Sequence, residues 1–387
     1  MTTYNYSAKH LWDIERAWNI GSQKVTMRER VAMVGTSRFD CESFINSPYG
    51  EKQAELMENY ILHEDPMDPV LIEKYRNIGL KKEMCKIDNL YTRWSLFTPI
   101  SMHESVCIDR LYPLLFVLHG ATMPIEWDEC SGFLPLAAKD EVIVISPQNH
   151  NEDNLMRILG EVITKYPVDR SRIYSTGYSQ GSMKTSHVTL LHPEVFAAAA
   201  PCGMHLCPPD SVISDVQLSE ATKYELPIIS ISGCEEFLYI FPVNEDSPLT
   251  SGRSSNAPTL DPEDPTLGKM STGVDTGSAT EKIAMLNRRL KASSCREVTL
   301  MECEQARESG DEVTRRLGFP SDKTEVVNVL GVDHYVAGFM NNRGNEYLKI
   351  IGINNMPHWP PASMAELAWD FMKRFARDPV TKEIYAL

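Results

Sequence analysis

A mostly parallel β-sheet with helices on both faces is the fold the sequence predicts, on three observations. From about residue 113, short apolar runs alternate with amphipathic helical stretches. One of those runs, 172–177, passes into a helical stretch through Gly177-Tyr178-Ser179-Gln180-Gly181. The 387 residues, 42% hydrophobic and 24% charged, suffice for one large core with excursions. Strands alternating with helices imply parallel strands joined by helical crossovers, and hence a sheet buried on both sides.

Each element has its own warrant. Residues 114–120, LLFVLHG, are a continuous apolar run ended by glycine, as suits a buried parallel strand. Residues 142–147, VIVISP, are a second such run, and 125–138 between them reads as a helix. Residues 153–166 place Leu155, Ile158, Leu159, Val162 and Ile163 on one helical face, with Asp153 as the expected N-cap. A strand at 172–177 follows, then a helix from Ser179 to about Leu191. Residues 195–202 and 226–233 read as strands. Residues 278–292 open on Ser278-x-x-Glu281, a capping box, with Ile283, Leu286 and Leu290 on one face. The last strand is expected at 346–353 and the last helix at 362–376, where Met364, Leu367, Ala368, Phe371, Met372 and Phe375 form one stripe.

Three segments depart from the alternation. Residues 1–88 are polar and helical in pattern, with breaks near Pro48, Gly50 and Pro66; they are expected to form a mainly helical N-terminal extension ahead of a catalytic domain at 89–387. Residues 243–277, rich in Ser, Thr, Pro, Gly and Asp, have almost no periodicity and read as a lid-like insertion. Residues 324–353 read as a hairpin whose second arm is the last strand of the sheet.

Composition removes several classes of function. No run approaches the roughly 18 apolar residues of a membrane-spanning helix. The net charge of −15, with no offsetting basic cluster, repels a phosphate backbone, so neither nucleic acid nor membrane is an expected partner. The nine cysteines are odd in number, contain no Cys-x-x-Cys, and lack zinc-site spacing even at the closest pair, Cys202 and Cys207. With no basic-then-apolar leader in the first 18 residues, reduced thiols in a cytoplasmic protein are the expectation. No metal or organic cofactor is implied. The oligomeric state is left open, a homo-oligomer included.

The chemistry centres on Ser179. A strand, a Gly-x-Ser-x-Gly turn and a helix make a nucleophile elbow, in which a strained serine stands above the carboxyl end of its strand. A serine hydroxyl needs a base, and in this architecture acid and histidine follow it in the chain. His358, between the last strand and the last helix, lies at the same sheet edge. His187 and His192 point away along the helix after Ser179, His119 precedes the serine, and His334 is the weaker rival. The acid is expected after the strand at 226–233, at Glu235 or Glu236, with Asp261, Asp264, Asp275 and Asp333 as alternatives. Two oxyanion donors are expected: the backbone N–H of Gln180, and that of Ala121 or Thr122 in the loop held by His119-Gly120. Trp127, Phe237, Tyr239 and Trp359 lie in loops at the expected mouth and are candidate substrate-binding residues.

Taken together and in order, PLLFVLHG, DECSGFLPLAAKDEVIVISPQ, VDRSRIYSTGYSQGSM, HPEVFAAAAPCG and MPHWP resemble the α/β-hydrolase esterases grouped with polyhydroxybutyrate depolymerases and feruloyl esterases. The resemblance runs over about residues 90–378. It implies an α/β-hydrolase fold and an acyl-serine mechanism, with Ser179 at the nucleophile position and His358 at the histidine position. The family's acid stands three residues past the glycine that ends its strand. Here that position is Glu236, where the family usually has aspartate. The expected activity is a serine carboxylesterase acting on a small soluble ester, an aromatic or hydroxycinnamoyl-type ester among them. A serine peptidase or acyltransferase would use the same three residues. A non-catalytic binding protein of this fold would be expected to have lost Ser179 or His358.

Overall fold

The computed structural model describes residues 8–17, 24–87, 93–104, 110–121, 123–203, 222–246 and 278–387. Its centre is a ten-stranded sheet, here β1 to β10: Leu80–Lys86, Arg93–Pro99, Tyr112–Leu118, Ile143–Pro147, Val168–Tyr178, Ala198–Cys202, Ile228–Gly233, Lys323–Val329, Val332–Met340 and Glu346–Ile353. The spatial order is β8-β9-β10-β7-β6-β5-β3-β4-β2-β1. The six strands β10, β7, β6, β5, β3 and β4 pair in parallel, and both edges are antiparallel. Every residue of β3, β4, β6 and β7 is buried, which explains why these strands read as unbroken apolar runs.

The crossover helices form where periodicity and capping agree. Glu152–Lys165 turns Leu155, Ile158, Leu159 and Val162 inward. Its N-cap is Asn151, whose side chain accepts from the Asp153 N–H, so the expected cap at Asp153 falls two residues late. Ala279–Ala292 begins with the expected capping box, Ser278 and Glu281 exchanging bonds with each other's backbone. The last helix is Met364–Met372.

Three expectations change. The stretch read as one helix at 125–138 is a 3₁₀ segment, Ile125–Cys130, and then a helix, Phe133–Asp140. Between them Gly132 has φ +88°, a left-handed backbone that stops the first segment. The N-terminal stretch read as a helical extension over 1–88 also supplies a sheet strand, because β1 pairs antiparallel with β2 along its whole length. The residues read as one hairpin over 324–353 make three strands: β8 and β9 are joined by a tight turn at Leu330-Gly331, and β10 follows. Leu330 and Gly331 both have positive φ, as a two-residue hairpin turn requires.

The helical part of the extension is built as its sequence suggests. Ser47 caps a helix with Pro48 in its first turn, and Asp68 caps one with Pro69 there. Tyr49, Met57, Tyr60 and Tyr75 from these helices belong to the same buried core as the sheet. Of the lid-like insertion expected at 243–277, only 243–246 fall within the described residues. Among the described residues no helix is long and apolar enough to cross a membrane.

Candidate active site

Ser179 stands between β5 and the helix Gln180–Leu191, at the N-cap, with φ +56° and ψ −115°. A non-glycine residue rarely holds such a backbone, and its surroundings enforce it here. The Ser179 N–H donates to the Cys202 carbonyl of β6, and its carbonyl accepts from the Met183 N–H. The helix must cross the neighbouring strand closely: a Cβ on Gly181 would sit 1.9 Å from the Leu118 carbonyl oxygen. Only glycine permits that approach, which is why the motif needs its second glycine.

His358 and Glu236 meet this serine from loops far along the chain. Ser179 Oγ lies 2.9 Å from His358 Nε2, and His358 Nδ1 lies 3.0 Å from Glu236 Oε2. A carboxylate can only accept, so the imidazole proton sits on Nδ1 and leaves Nε2 to accept from the serine hydroxyl. Glu236 is wholly buried in a turn after β7, and its second oxygen accepts from the Gly233 N–H at 2.8 Å. Burial pushes the Glu236 carboxyl above the ordinary carboxylate range, against the pull of His358 and that N–H. The acid loop and the histidine loop touch at Gly233, where a Cβ would lie 2.1 Å from the Met356 carbonyl oxygen. The Glu235 N–H donates to that same carbonyl.

The strand order β1-β2-β4-β3-β5-β6-β7 with this elbow after β5 settles the architecture. The fold is that of an α/β-hydrolase. No family model matches the chain. Over 111 residues the α/β-hydrolase chain is 30% identical to poly(3-hydroxyalkanoate) depolymerase C of Paucimonas lemoignei, a match taking in 23% of this chain and 27% of that protein. The chain therefore spans about a quarter of the length of that relative. Among solved structures it is similar to an acetyl xylan esterase from Aspergillus awamori, with 14% identity and a TM-score of 0.43 over 76% of this chain and 98% of that one. It is also similar to S-formylglutathione hydrolase from Staphylococcus aureus, with 16% identity and a TM-score of 0.33 over 41% and 79%.

The other expected site residues separate into two groups. Gln180 opens the helix behind Ser179, and the 119–121 loop runs beside it: a Cβ on Gly120 would stand 3.7 Å from Ser179 Cβ. His119 holds that loop through ring contacts to the Gly120 and Gln148 carbonyls, at 2.7 and 3.2 Å. Ala121 lies in the loop; Thr122 lies outside the described residues. Phe237 packs edge-on against the His358 ring at 5.2 Å. Tyr239 is half-buried with φ +50°, and its carbonyl accepts from Lys282 Nζ.

Several candidates are placed elsewhere. Trp127 and Trp359, candidate substrate-binding residues, are both buried and packed against each other edge to face, with ring centroids 5.9 Å apart. Glu235 turns outward to Thr36 and Arg38. Asp333 accepts from Asn328 on the β8–β9 hairpin, and His334 is buried against Ser363. His192 sits 2.6 Å from Glu152. Asp261, Asp264 and Asp275 lie outside the described residues. The sequence reading missed Tyr178, whose ring tilts over His358 at 5.1 Å beside Glu236; it is the variable second residue of the motif, and nothing in its identity marks it.

Beside Trp127, Asp128 is buried, and its Oδ2 lacks a hydrogen-bond partner among the described residues. It lines a cavity with room for about one water molecule. Burial, with Glu129 and Glu126 close by, drives its carboxyl well above the ordinary range. The folded state therefore holds a proton that the unfolded chain releases near pH 4. That contribution to stability is complete below pH 4 and is lost as pH rises toward the raised value. Asp128→Asn has no proton to lose. Thermal unfolding should show its advantage over the parent growing as pH rises above about 4, and a gap independent of pH would contradict a raised Asp128.

Proposed function

We propose that the protein is a serine carboxylesterase working through an acyl-serine intermediate, with Ser179 as nucleophile, His358 as base and Glu236 as acid. One observation carries the reading: an unbroken hydrogen-bonded line from Ser179 Oγ through both nitrogens of His358 to Glu236, ending on a serine held at φ +56°. His358 Nε2 takes the hydroxyl proton as Ser179 Oγ bonds to the ester carbonyl carbon. The negative oxygen so formed is stabilised by the N–H groups of Gln180 and of Ala121 or Thr122. The imidazolium is stabilised by Glu236, and its Nε2 proton goes to the departing alcohol oxygen as the tetrahedral carbon collapses to the acyl-serine. Water then loses a proton to His358, attacks the same carbon, and releases the carboxylic acid and the free serine.

The sequence similarity to a poly(3-hydroxyalkanoate) depolymerase supports an ester as the substrate bond. The substrate proposed is a small soluble ester, with an aromatic acyl group accommodated beside Phe237. A series of p-nitrophenyl esters of rising acyl length, run with methyl ferulate and a p-nitroanilide, tests this. The expected result is rapid ester turnover and no anilide cleavage. Anilide cleavage at a comparable rate would favour a peptidase instead.

A further inference from the structure

Ser179 owes its position to the sheet; its two partners follow sheet strands too, but they are also tied to the N-terminal extension. The loops carrying Glu236 and His358 are bonded to a segment of the N-terminal extension, Val34 to Asp40, that precedes them by about two hundred and three hundred residues. The Val34 carbonyl accepts from the backbone N–H of His358 at 2.9 Å and of Phe237 at 3.3 Å. The Thr36 N–H donates to the Glu235 carbonyl at 2.9 Å, and Gly35 forms a β-bridge with Glu236 itself. Asp40 and Asn355 exchange two bonds, the Asp40 N–H donating to Asn355 Oδ1 and Asn355 Nδ2 to the Asp40 carbonyl. The segment is fixed at its far end by Phe39, which packs edge-on against Phe44 in the core of the extension.

One side-chain pair closes this strap. Thr36 Oγ1 donates to Glu235 Oε2 at 2.5 Å, and Arg38 Nε reaches the same oxygen at 3.1 Å. The Glu235 side chain is only 15% exposed, whereas that of Arg38 is 64% exposed, so the hydroxyl bond is the sheltered one of the two. Glu235 and Glu236 are adjacent, with carboxylates on opposite errands: one binds the histidine, the other binds the strap.

We propose that Thr36 and Glu235 are a positioning pair through which the N-terminal extension sets the Glu236–His358 geometry. The proposal rests on the serine-esterase reading above. Neither residue touches the reacting atoms. Each acts by holding the acid turn against the Val34 carbonyl that also holds His358, and a displacement of that turn by a fraction of an ångström is enough to slow the proton transfers.

The test is a double-mutant cycle in the full chain with kcat expressed per serine titrated by a fluorophosphonate, so that misfolded protein is not counted. Thr36→Val and Glu235→Ala should each lower kcat by about tenfold with KM changed less than about twofold. The double variant should be no slower than the slower single, because the two residues act as a unit. Thr36→Ser and Glu235→Gln, which keep the hydroxyl donor and an oxygen acceptor, should recover turnover to within about threefold of the parent. Parental kcat in Thr36→Val, or losses that multiply in the double variant, would overturn the pairing while leaving the esterase reading intact. A parent chain that the fluorophosphonate does not label would overturn both.

Discussion

Replacing Ser179 by alanine lowers kcat by about five to six orders of magnitude. On the proposed mechanism the serine supplies the bond to the acyl carbon, a role the alanine side chain cannot fill. What survives is catalysis by the oxyanion donors and by binding alone, which in such sites leaves roughly a thousandfold over water. Substrate affinity should be retained, because the hydroxyl contributes to the covalent step and not to the surface that receives the ester. The folded structure should be retained as well: alanine fits where serine does, and the backbone bonds of residue 179 to Cys202 and Met183 do not involve the side chain. Steady-state kinetics with a p-nitrophenyl ester, paired with thermal unfolding, checks both halves of this expectation.

The second large effect is at Glu236. Glutamine in its place keeps the shape and the bond from the Gly233 N–H, but it presents an amide to His358 Nδ1. An amide N–H facing Nδ1 forces the imidazole proton onto Nε2, where it confronts Ser179 Oγ and cannot accept. Turnover should fall by about 10⁴-fold, the consequence of the wrong tautomer. Glu235→Gln, one residue away, should stay within about threefold of the parent, because its carboxylate faces Thr36. Equal activities in the two variants would remove Glu236 from the role of acid.

Glu236→Gln should also be more stable than the parent at high pH. Burial raises the Glu236 carboxyl in the folded state, so that state takes up a proton more readily than the unfolded chain. Native stability is then complete below the ordinary carboxylate value and declines as pH rises through the raised one. Glutamine removes the titration, so the unfolding temperature of the variant should pull ahead of the parent's as pH rises above the ordinary carboxylate value. A site that loses activity and gains stability from one substitution is holding a buried charge for chemistry and at a cost to the fold.

How much of this was legible in the sequence follows from how local each determinant is. The parallel strands are buried on both faces, so Leu114–Leu118 and Ile228–Gly233 stand out as unbroken apolar runs. The elbow is legible because close strand–helix crossing demands glycine at fixed offsets from Ser179. The capping box at Ser278 is equally local. Asn151 took the cap expected of Asp153 because both are good caps within three residues, and the pattern does not choose between them. The edge strand Leu80–Lys86 hid inside a polar stretch because an edge strand is half-exposed and carries lysines. The burial of Trp127 and Trp359 was not legible, because a loop position in the sequence does not reveal what packs over it. The strap from Val34 to Asp40 left no trace at all: its bonds to the acid and histidine loops are mostly backbone-to-backbone, which any sequence can make, and only the fold brings them together.

The most direct test of the central claim, that Ser179 is an activated nucleophile, is covalent labelling of the folded chain with a fluorophosphonate. The account predicts one adduct per chain by intact mass, mapped by peptide sequencing to Ser179, slowed strongly by His358→Ala and absent in Ser179→Ala. A folded chain that takes up no label, or a label that persists in Ser179→Ala, would contradict it.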